Sequence, residues 1–286
     1  MLSRNANVMK IGGRDFDVQN HTYVMGILNL TPDSFSDGGK WLEKDKALYR
    51  VEEMLDEGMD ILDIGGESTR PGHVAISGEE EIARVVPMIE VIKGRFDVPI
   101  SLDTYKAEVA KAGIKAGVDM INDIWGLKKD PAMAQVIAES GVACCLMHNR
   151  KEAEYTDLLP DMVADLQESV ALALEAGISK DKIILDPGIG FGKAYVDNLQ
   201  VLGALDTFKQ LRYPLLLGTS RKSVIGLTLD LPVEERLEGT LVTTVMAVLN
   251  GYAFVRVHDI KENVRTIRMA EAIREGGISL YGRNQN

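Results

Sequence analysis

The sequence predicts a single (β/α)8 barrel preceded by a β-hairpin. Short apolar runs alternate with helical patterns eight times along the chain. The 286 residues suit one barrel of roughly 250 residues, and no linker rich in Pro, Gly or Ser divides the sequence. We therefore expect one barrel domain over residues 1–286, with residues 1–22 as the hairpin segment. A doubly wound open sheet remains the alternative, because alternation alone does not show closure.

Eight apolar runs predict the strands. Each run is short, continuous and rich in Ile, Leu, Val or Met, as is typical of parallel strands that are buried on both faces. Residues 8–18 form the expected hairpin around Gly12 and Gly13. The runs begin near Val24, Met59, Val98, Met120, Val142, Ile183, Leu215 and Phe254.

The segments between the strands have helical periodicity. In residues 43–57, for example, Ala47, Leu48, Val51 and Met54 recur at the spacing of one helix face. The same pattern predicts helices over residues 79–93, 106–116, 131–140, 157–176, 198–211, 234–250 and 261–275.

Composition excludes several classes of protein. The 43 acidic residues exceed the 32 basic ones, and this net charge of −11 argues against a general nucleic-acid binder. It does not exclude an anionic substrate, since the local field of a cleft matters more. The apolar runs are too short to cross a membrane. Cys144 and Cys145 are adjacent and point to opposite faces of a strand, so we expect a reduced, cytoplasmic protein without membrane partners.

Polar residues stop the apolar runs abruptly. In a barrel the carboxyl ends of all strands lie on one face, where barrel enzymes place their active sites. Helix capping is the alternative for Thr104, Asp123 and Ser220, because these residue types favour N-caps. The strand-end residues are Asn29, Asp63, residues 67–70, Asp103, Thr104, Asn122, Asp123, His148, Asn149, Asp186, residues 220–222 and residues 256–259.

We expect three of these residues, all of them hydrogen-bond acceptors, to face the inside of the barrel. Asp103, Asn122 and Asp186 suit a ligand with adjacent N–H donors, such as an aminopyrimidine ring. A structural polar layer or a divalent metal site are the alternatives. The metal alternative is weaker because Lys222 and Arg256 reach the same mouth.

The basic residues predict an anion site. Barrels frequently bind phosphate with the loops after strands seven and eight. Lys222 comes at the end of the seventh predicted strand, and Arg256 lies within the eighth. Arg256 and His258 share one face of a strand, and Asn29 lies on the adjoining first strand. An ion pair with an acidic residue is the alternative for Arg256, since a buried arginine needs a partner.

Three loops complete the predicted mouth. Residues 186–193 (DPGIGFGK) fit neither the P-loop pattern nor G-x-G-x-x-G. We expect their backbone to approach a flat ligand, which Phe191 covers. The loops over residues 31–41 and 65–73 are long and polar, which is typical of lids; disorder without function is the alternative.

These motifs together resemble the dihydropteroate synthase family. Residues 25–39 (MGILNLTPDSFSDGG) and 65–72 (GGESTRPG) closely resemble its first two signatures. Residues 101–104, 121–123, 186–193, 218–223 and 255–259 follow in the family's order. The resemblance covers nearly everything from Val24 onward.

The resemblance implies condensation of 6-hydroxymethyl-7,8-dihydropterin diphosphate with p-aminobenzoate, with Mg²⁺ as cofactor and a homodimer as the assembly. It implies a pterin site formed by Asp103, Asn122, Asp186 and Lys222. It implies a diphosphate site formed by Asn29, Arg256 and His258, in which Asn29 also binds the metal. The residues that it implies near p-aminobenzoate are Thr69, Arg70, Pro71, Phe191 and Ser223. Asp37 and Phe35 belong to the first loop, and the implied catalytic residues are Asp37, Lys222, Arg256 and His258. A pterin-binding methyltransferase with a corrinoid partner and a non-catalytic pterin-binding barrel are the alternatives.

Overall fold

A computed structural model describes residues 8–30, 40–67 and 75–276 of the chain. The hairpin at its start pairs β1 (Val8–Ile11) with β2 (Arg14–Asp17) in antiparallel register. Gly12 and Gly13 make the turn with φ of 55° and 80°, a backbone conformation that glycine adopts without steric cost. The predicted hairpin is confirmed.

Eight parallel strands follow and close into a barrel. They are β3 (Tyr23–Asn29), β4 (Ile61–Gly65), β5 (Ile100–Asp103), β6 (Met120–Asp123), β7 (Ala143–Met147), β8 (Ile183–Asp186), β9 (Leu216–Leu217) and β10 (Phe254–Val257). Their order in the sheet is β8-β7-β6-β5-β4-β3-β10-β9, and a parallel bridge between Leu185 and Leu215 joins the two ends of this sheet. The closure excludes the open-sheet alternative.

Helices cover the outside of the barrel. Within the described ranges they are α1 (Lys40–Asp56), α2 (Gly78–Arg95), α3 (Ala107–Lys115), α4 (Met133–Ser140), α5 (Leu158–Glu175), α6 (Tyr195–Gly203), α7 (Ser223–Leu229), α8 (Leu237–Leu249) and α9 (Ile260–Arg274). None of these described helices has the length and apolar character that a membrane span requires.

One predicted helix was wrong in its extent. The segment 198–211 is not continuous, because α6 ends at Gly203 and the chain proceeds as a 3₁₀ helix over Leu205–Leu211. Between them, Ala204 leaves the helical region with φ −131° and ψ 35°. Both pieces bury apolar residues, so their combined pattern imitates one long helix. The seven-residue helix α7 was not predicted, because it spans barely two turns.

The core has two layers that the strands separate. Cys144 belongs to the layer between the strands and the helices, whereas Cys145 belongs to the barrel interior, as the alternation along a strand requires. The hairpin residues Ile11 and Phe16 join the interior layer, and the Phe16 ring lies 5.8 Å from that of Phe254. The hairpin therefore closes the end of the barrel where the strands begin, opposite the predicted mouth.

Candidate active site

A row of paired residues crosses four neighbouring strands at the mouth. In the parallel register Asn29 is opposite Gly65, Gly65 is opposite Asp103, and Asp103 is opposite Asn122. A Cβ atom at Gly65 would lie 3.7 Å from Oδ1 of Asn29 and 3.7 Å from Cβ of Asp103. Gly65 thus leaves a gap without a side chain between an amide and a carboxylate.

Arg256 links two acidic residues of this mouth. Its Nε donates to Oδ2 of Asp63 at 2.6 Å, and its Nη2 donates to Oδ2 of Asp103 at 2.8 Å. The ion pair that was the alternative for Arg256 is therefore present. Oδ1 of Asp63 and Oδ1 of Asp103 are buried and have no hydrogen-bond partner. Because buried polar atoms are nearly always paired, Asp103 offers an acceptor to a ligand.

Burial affects the protonation of Asp103 and Arg256 in different ways. Burial raises the pKa of Asp103 to about 7, although the positive charge of Arg256 acts to lower it. The pKa of Arg256 lies above its ordinary value because the attraction of Asp63 and Asp103 outweighs its desolvation. Asp103 consequently titrates close to neutral pH while Arg256 stays charged.

Asp186 and Lys222 form the opposite side of the mouth. Oδ1 of Asp186 accepts the backbone N–H of Gly188 at 2.7 Å. A Cβ atom at Gly218 would lie 3.6 Å from Oδ2 of Asp186, 3.9 Å from Nζ of Lys222 and 3.8 Å from Cβ of Arg256. Gly218 therefore lies among three of the predicted site residues and gives them room.

Lys222 also contacts the glycine-rich loop. Its Nζ donates to the carbonyl of Ile189 and lies 4.6 Å from the centre of the Phe191 ring. Burial lowers the pKa of Lys222 to about 8, and the nearby Asp186 opposes this change. Burial also raises the pKa of Asp186, against the effect of Lys222.

His258 is held by Ser220. Oγ of Ser220 accepts the backbone N–H of His258 at 3.2 Å and lies 2.9 Å from Nδ1 of the same residue. The hydroxyl can therefore donate its own proton to Nδ1, so that neutral His258 carries its proton on Nε2. Ser220 orients His258, and the capping alternative for Ser220 was wrong.

Capping or turn bonds do account for two other strand-end residues. Oγ1 of Thr104 accepts the backbone N–H of Lys106 at 3.3 Å, just before α3. The carboxylate of Asp123 accepts the backbone N–H groups of Trp125 at 2.9 Å and Leu127 at 2.8 Å. These two residues stabilise the chain that leaves their strands.

The remaining predicted residues differ in how far the structure describes them. Ser223 is the first residue of α7 and is exposed. Phe35, Asp37, Thr69, Arg70 and Pro71 lie outside the described residues, so their roles stay predictions. Asp63 received no role from the sequence. It lies two residues from both Ile61 and Gly65 along β4, and this period of two would have placed it inside the barrel, although not beside any particular partner.

The donor set at Asn29 suits a metal that arrives with a ligand. Among the residues that the structure describes, no three His, Cys, Asp or Glu side chains are grouped to hold a metal ion. Mg²⁺ usually keeps several waters and binds through one or two protein oxygens together with phosphates. A single amide oxygen beside the predicted anion subsite fits that pattern. The magnesium site stays a prediction.

The fold and this mouth define a class of protein, which comparison with known proteins supports. The family model described as pterin binding enzyme matches residues 25–258. The chain is 57% identical over 266 residues to the dihydropteroate synthase of Clostridium beijerinckii, covering 93% of this chain and 99% of that protein. It is a pterin-binding barrel enzyme.

Two solved structures are similar over nearly their whole length. The dihydropteroate synthase of Clostridium difficile, crystallised with pteroic acid, superposes with a TM-score of 0.89 at 49% identity, covering 90% of this chain and 98% of that one. The Xanthomonas albilineans enzyme with 4-aminobenzoic acid gives a TM-score of 0.89 at 39% identity, covering 94% and 98%. The chain belongs to the dihydropteroate synthase family, and it is a transferase.

Proposed function

We propose that this chain condenses 6-hydroxymethyl-7,8-dihydropterin diphosphate with p-aminobenzoate, releasing diphosphate, by departure of the leaving group followed by attack of the amine. This proposal rests mainly on one observation: hydrogen-bond acceptors that suit the pterin and basic donors that suit an anion lie in contact at the same mouth of the barrel. Arg256 bonds to Asp103, and Gly218 lies against Arg256, Asp186 and Lys222. A substrate with a polar ring at one end and an anion at the other suits that arrangement.

The acceptors suit the pterin ring. An aminopyrimidinone presents adjacent N–H donors, and a carboxylate can accept two of them. Oδ1 of Asp103 is buried without a partner, and Asn122 is its neighbour in register. Lys222 beside Asp186 supplies a donor for the ring's own acceptor atoms. We assign these four residues to the pterin.

The donors suit the diphosphate. Arg256 is charged, Nε2 of His258 carries a proton when Nδ1 accepts from Ser220, and the side chain of Asn29 lies across Gly65 from Asp103. Mg²⁺ bound at Asn29 and the diphosphate would neutralise the charge that develops on the leaving group. Arg256 and His258 would bind and orient the same oxygens and would stabilise that charge.

The reaction does not require a nucleophile from the protein, because every bond that breaks or forms belongs to the two substrates. The bond between the methylene carbon and the diphosphate oxygen breaks, and its electron pair leaves with the diphosphate. The pterin donates electrons to the carbon, and the carboxylates stabilise the positive charge. The amine nitrogen of p-aminobenzoate then forms the C–N bond and releases a proton.

We place the second substrate beside Phe191 and the two long loops. We assign Phe191, Ser223, Thr69, Arg70 and Pro71 to p-aminobenzoate, and we expect the loops over 31–41 and 65–73, with Asp37 in the first, to exclude water. Phe191 supports this assignment because its ring lies against Lys222, next to the proposed pterin site. Water that reached the cationic carbon would otherwise capture it.

Positional isotope exchange tests the order of these steps. The substrate is labelled with ¹⁸O in the oxygen that joins the methylene carbon to the diphosphate and is incubated with enzyme, Mg²⁺ and an arylcarboxylate that lacks the amine. We expect the label to move into non-bridging positions of the recovered substrate, because reversible departure frees the phosphate group to rotate. Label that stays in the bridge while p-aminobenzoate still gives product would contradict departure before attack.

We also propose that the protein is a cytoplasmic homodimer. Both cysteines are free and buried, which suits a reducing compartment. Consecutive helices α7, α8 and α9 expose apolar side chains to solvent, as expected for a surface that a second copy covers: Leu227, Leu229, Val242, Leu249, Met269 and Ile273. Light scattering should give twice the chain mass, and Val242→Glu should lower it. A wild-type protein that stays monomeric at micromolar concentration would contradict the dimer.

A further inference from the structure

We propose that Lys193, oriented by His148 and Asp165, is a positioning residue of the reaction that fixes the glycine-rich loop and thereby places Phe191 against p-aminobenzoate. No role follows for these three residues from the strand-end pattern or from the family resemblance described above. The inference rests on the proposed function, because it concerns the substrate that Phe191 is assigned to meet.

The ammonium group of Lys193 has three hydrogen-bond partners. Its Nζ lies 3.0 Å from the carbonyl oxygen of Gly188, 2.9 Å from that of Phe191 and 2.9 Å from Nδ1 of His148. A protonated lysine has three N–H donors, so each donor has one acceptor. Two of these bonds join the beginning of the glycine-rich loop to its aromatic residue.

His148 and Asp165 set the direction of this lysine. Nε2 of His148 lies 3.0 Å from Oδ2 of Asp165, and the same oxygen accepts Nε of Arg150 at 2.6 Å. Because Asp165 accepts from Nε2, neutral His148 leaves Nδ1 free to accept from Lys193. His148 follows β7 and also donates its backbone N–H to the carbonyl of Asp186 at 2.8 Å. The network therefore joins α5, the end of β7 and the loop after β8.

The loop rests directly on this network. Gly188 has φ 68°, and a Cβ atom there would lie 2.0 Å from the carbonyl oxygen of His148. The N–H of Gly190 donates to Asn198, and the carbonyl of Gly192 accepts from Tyr155. Lys222 bonds to the loop at the carbonyl of Ile189, whereas Lys193 bonds to it at the carbonyls of Gly188 and Phe191. Because Asp186 lies on a strand, we expect loss of the Lys193 bonds to free Phe191 before it disturbs Asp186.

The protonation of Lys193 matters to this arrangement. A neutral amine has only two N–H donors for three acceptors. Burial lowers the pKa of Lys193 to about 7 and that of His148 to about 4. The charged groups that act on Lys193 are Asp165 on α5, Asp186 on β8, Asp197 on α6 and Lys222 before α7. His148 after β7 contacts it directly, and the neighbouring Arg150 acts on His148. We therefore expect the bonds from Lys193 to weaken as the pH rises above neutral.

Steady-state kinetics of Lys193→Met test the inference. We expect KM for p-aminobenzoate to rise about tenfold, which corresponds to about 1.4 kcal/mol, because one or two hydrogen bonds that fix the loop are lost. The dissociation constant of the dihydropterin diphosphate should change less than about threefold, since Asp103, Asn122 and Asp186 lie on strands. Lys193→Arg keeps the charge and several N–H donors, so its KM for p-aminobenzoate should lie close to that of the wild type. Lys111→Met, on the exposed surface of α3, is the matched control and should match wild type.

A pH series separates positioning from a general loss of structure. In the wild type, KM for p-aminobenzoate should rise between about pH 6.5 and about pH 9, where Lys193 loses its proton while the p-aminobenzoate carboxylate stays ionised. In Lys193→Met that rise should be smaller, with only the contribution of Lys222 left. Equal losses for both substrates, an unchanged KM in Lys193→Met or an identical pH profile in both proteins would overturn the inference.

A second variant keeps the test decisive if Lys193→Met does not fold. His148→Phe retains a ring to stack on Tyr155, whose centroid lies 6.1 Å from that of His148, and removes one acceptor from Lys193. It should raise KM for p-aminobenzoate in the same direction by a smaller factor, and an unchanged KM would overturn the inference. A wild type that forms no dihydropteroate contradicts the proposed function as well. An active wild type whose variants show an unchanged KM for p-aminobenzoate contradicts only the role of Lys193.

Discussion

Nη2 of Arg256 lies 2.8 Å from Oδ2 of Asp103, so a residue assigned to the anion subsite and one assigned to the pterin subsite are bonded to each other. Nε of the same guanidinium stays on Asp63, whose side chain is completely buried. We expect the pterin to replace Nη2 at Asp103 while Asp63 keeps hold of Nε. Arg256 would then turn a donor toward the diphosphate that arrives on the same substrate.

Removing Arg256 should affect both stability and anion binding. Arg256→Met leaves two buried carboxylates without their cation, which typically lowers the free energy of unfolding by about 3–5 kcal/mol. It should also lower the affinity for the diphosphate substrate far more than the affinity for a pterin alcohol without diphosphate. Chemical denaturation and calorimetry measure the two effects. The double variant with Asp63→Asn should recover part of the stability but not the anion affinity; equal losses for both ligands would count against the anion subsite.

Asp186→Ala should weaken pterin binding strongly. The carboxylate is assigned to the ring and also accepts the N–H of Gly188, and a hydrogen bond to a charged group contributes about 1.5–3 kcal/mol. We expect the dissociation constant for the pterin alcohol to rise about 10- to 100-fold in calorimetry. Asp186→Asn is the closer control, since it keeps an acceptor for Gly188 but presents N–H groups to the ring. Unchanged pterin affinity in both variants would reject the assignment.

The raised pKa of Asp103 predicts two pH dependences. Because the folded-state pKa is about 7 and the unfolded value about 3.9, the folded protein holds this proton more tightly, so the stabilising contribution of Asp103 declines as the pH rises from about 4 through about 7. Affinity for the pterin alcohol should rise between about pH 6 and about pH 8, because the ionised carboxylate is the better acceptor. Calorimetry across this range should show both the rise in the wild type and its loss in Asp103→Asn. A flat wild-type profile would contradict the assignment.

Asp123 should matter for stability rather than for catalysis. Its carboxylate accepts two backbone N–H groups, and burial raises its pKa to about 6. Asp123→Ala leaves those donors unpaired, which should lower the free energy of unfolding by about 1–3 kcal/mol. Thermal unfolding measures the loss, and KM for both substrates should stay within about twofold of wild type at 25 °C. A large change in KM without a change in stability would assign Asp123 to the site instead.

The sequence predicts the strands and the convergence of Asp103, Asp186 and Arg256 well, because buried parallel strands have a strong and continuous apolar pattern. It does not predict which charges pair. The bond from Arg256 to Asp63 joins residues 193 positions apart, and only barrel closure sets that proximity. The three-way bonding of Lys193 likewise depends on how the loops after β7 and β8 pack. Periodicity also merges two adjacent apolar segments, as it did at Ala204.

A discontinuous assay for both products tests the proposed condensation directly. Purified enzyme, Mg²⁺, the dihydropterin diphosphate and p-aminobenzoate are mixed, and dihydropteroate and diphosphate are quantified together. We expect equal amounts of the two products in the complete mixture. Without p-aminobenzoate we expect no dihydropteroate and only the diphosphate that slow hydrolysis releases, and we expect a marked loss of both products in Asp186→Asn. Wild-type enzyme that binds the pterin but forms no dihydropteroate, or an Asp186→Asn variant as active as wild type, would contradict the proposal.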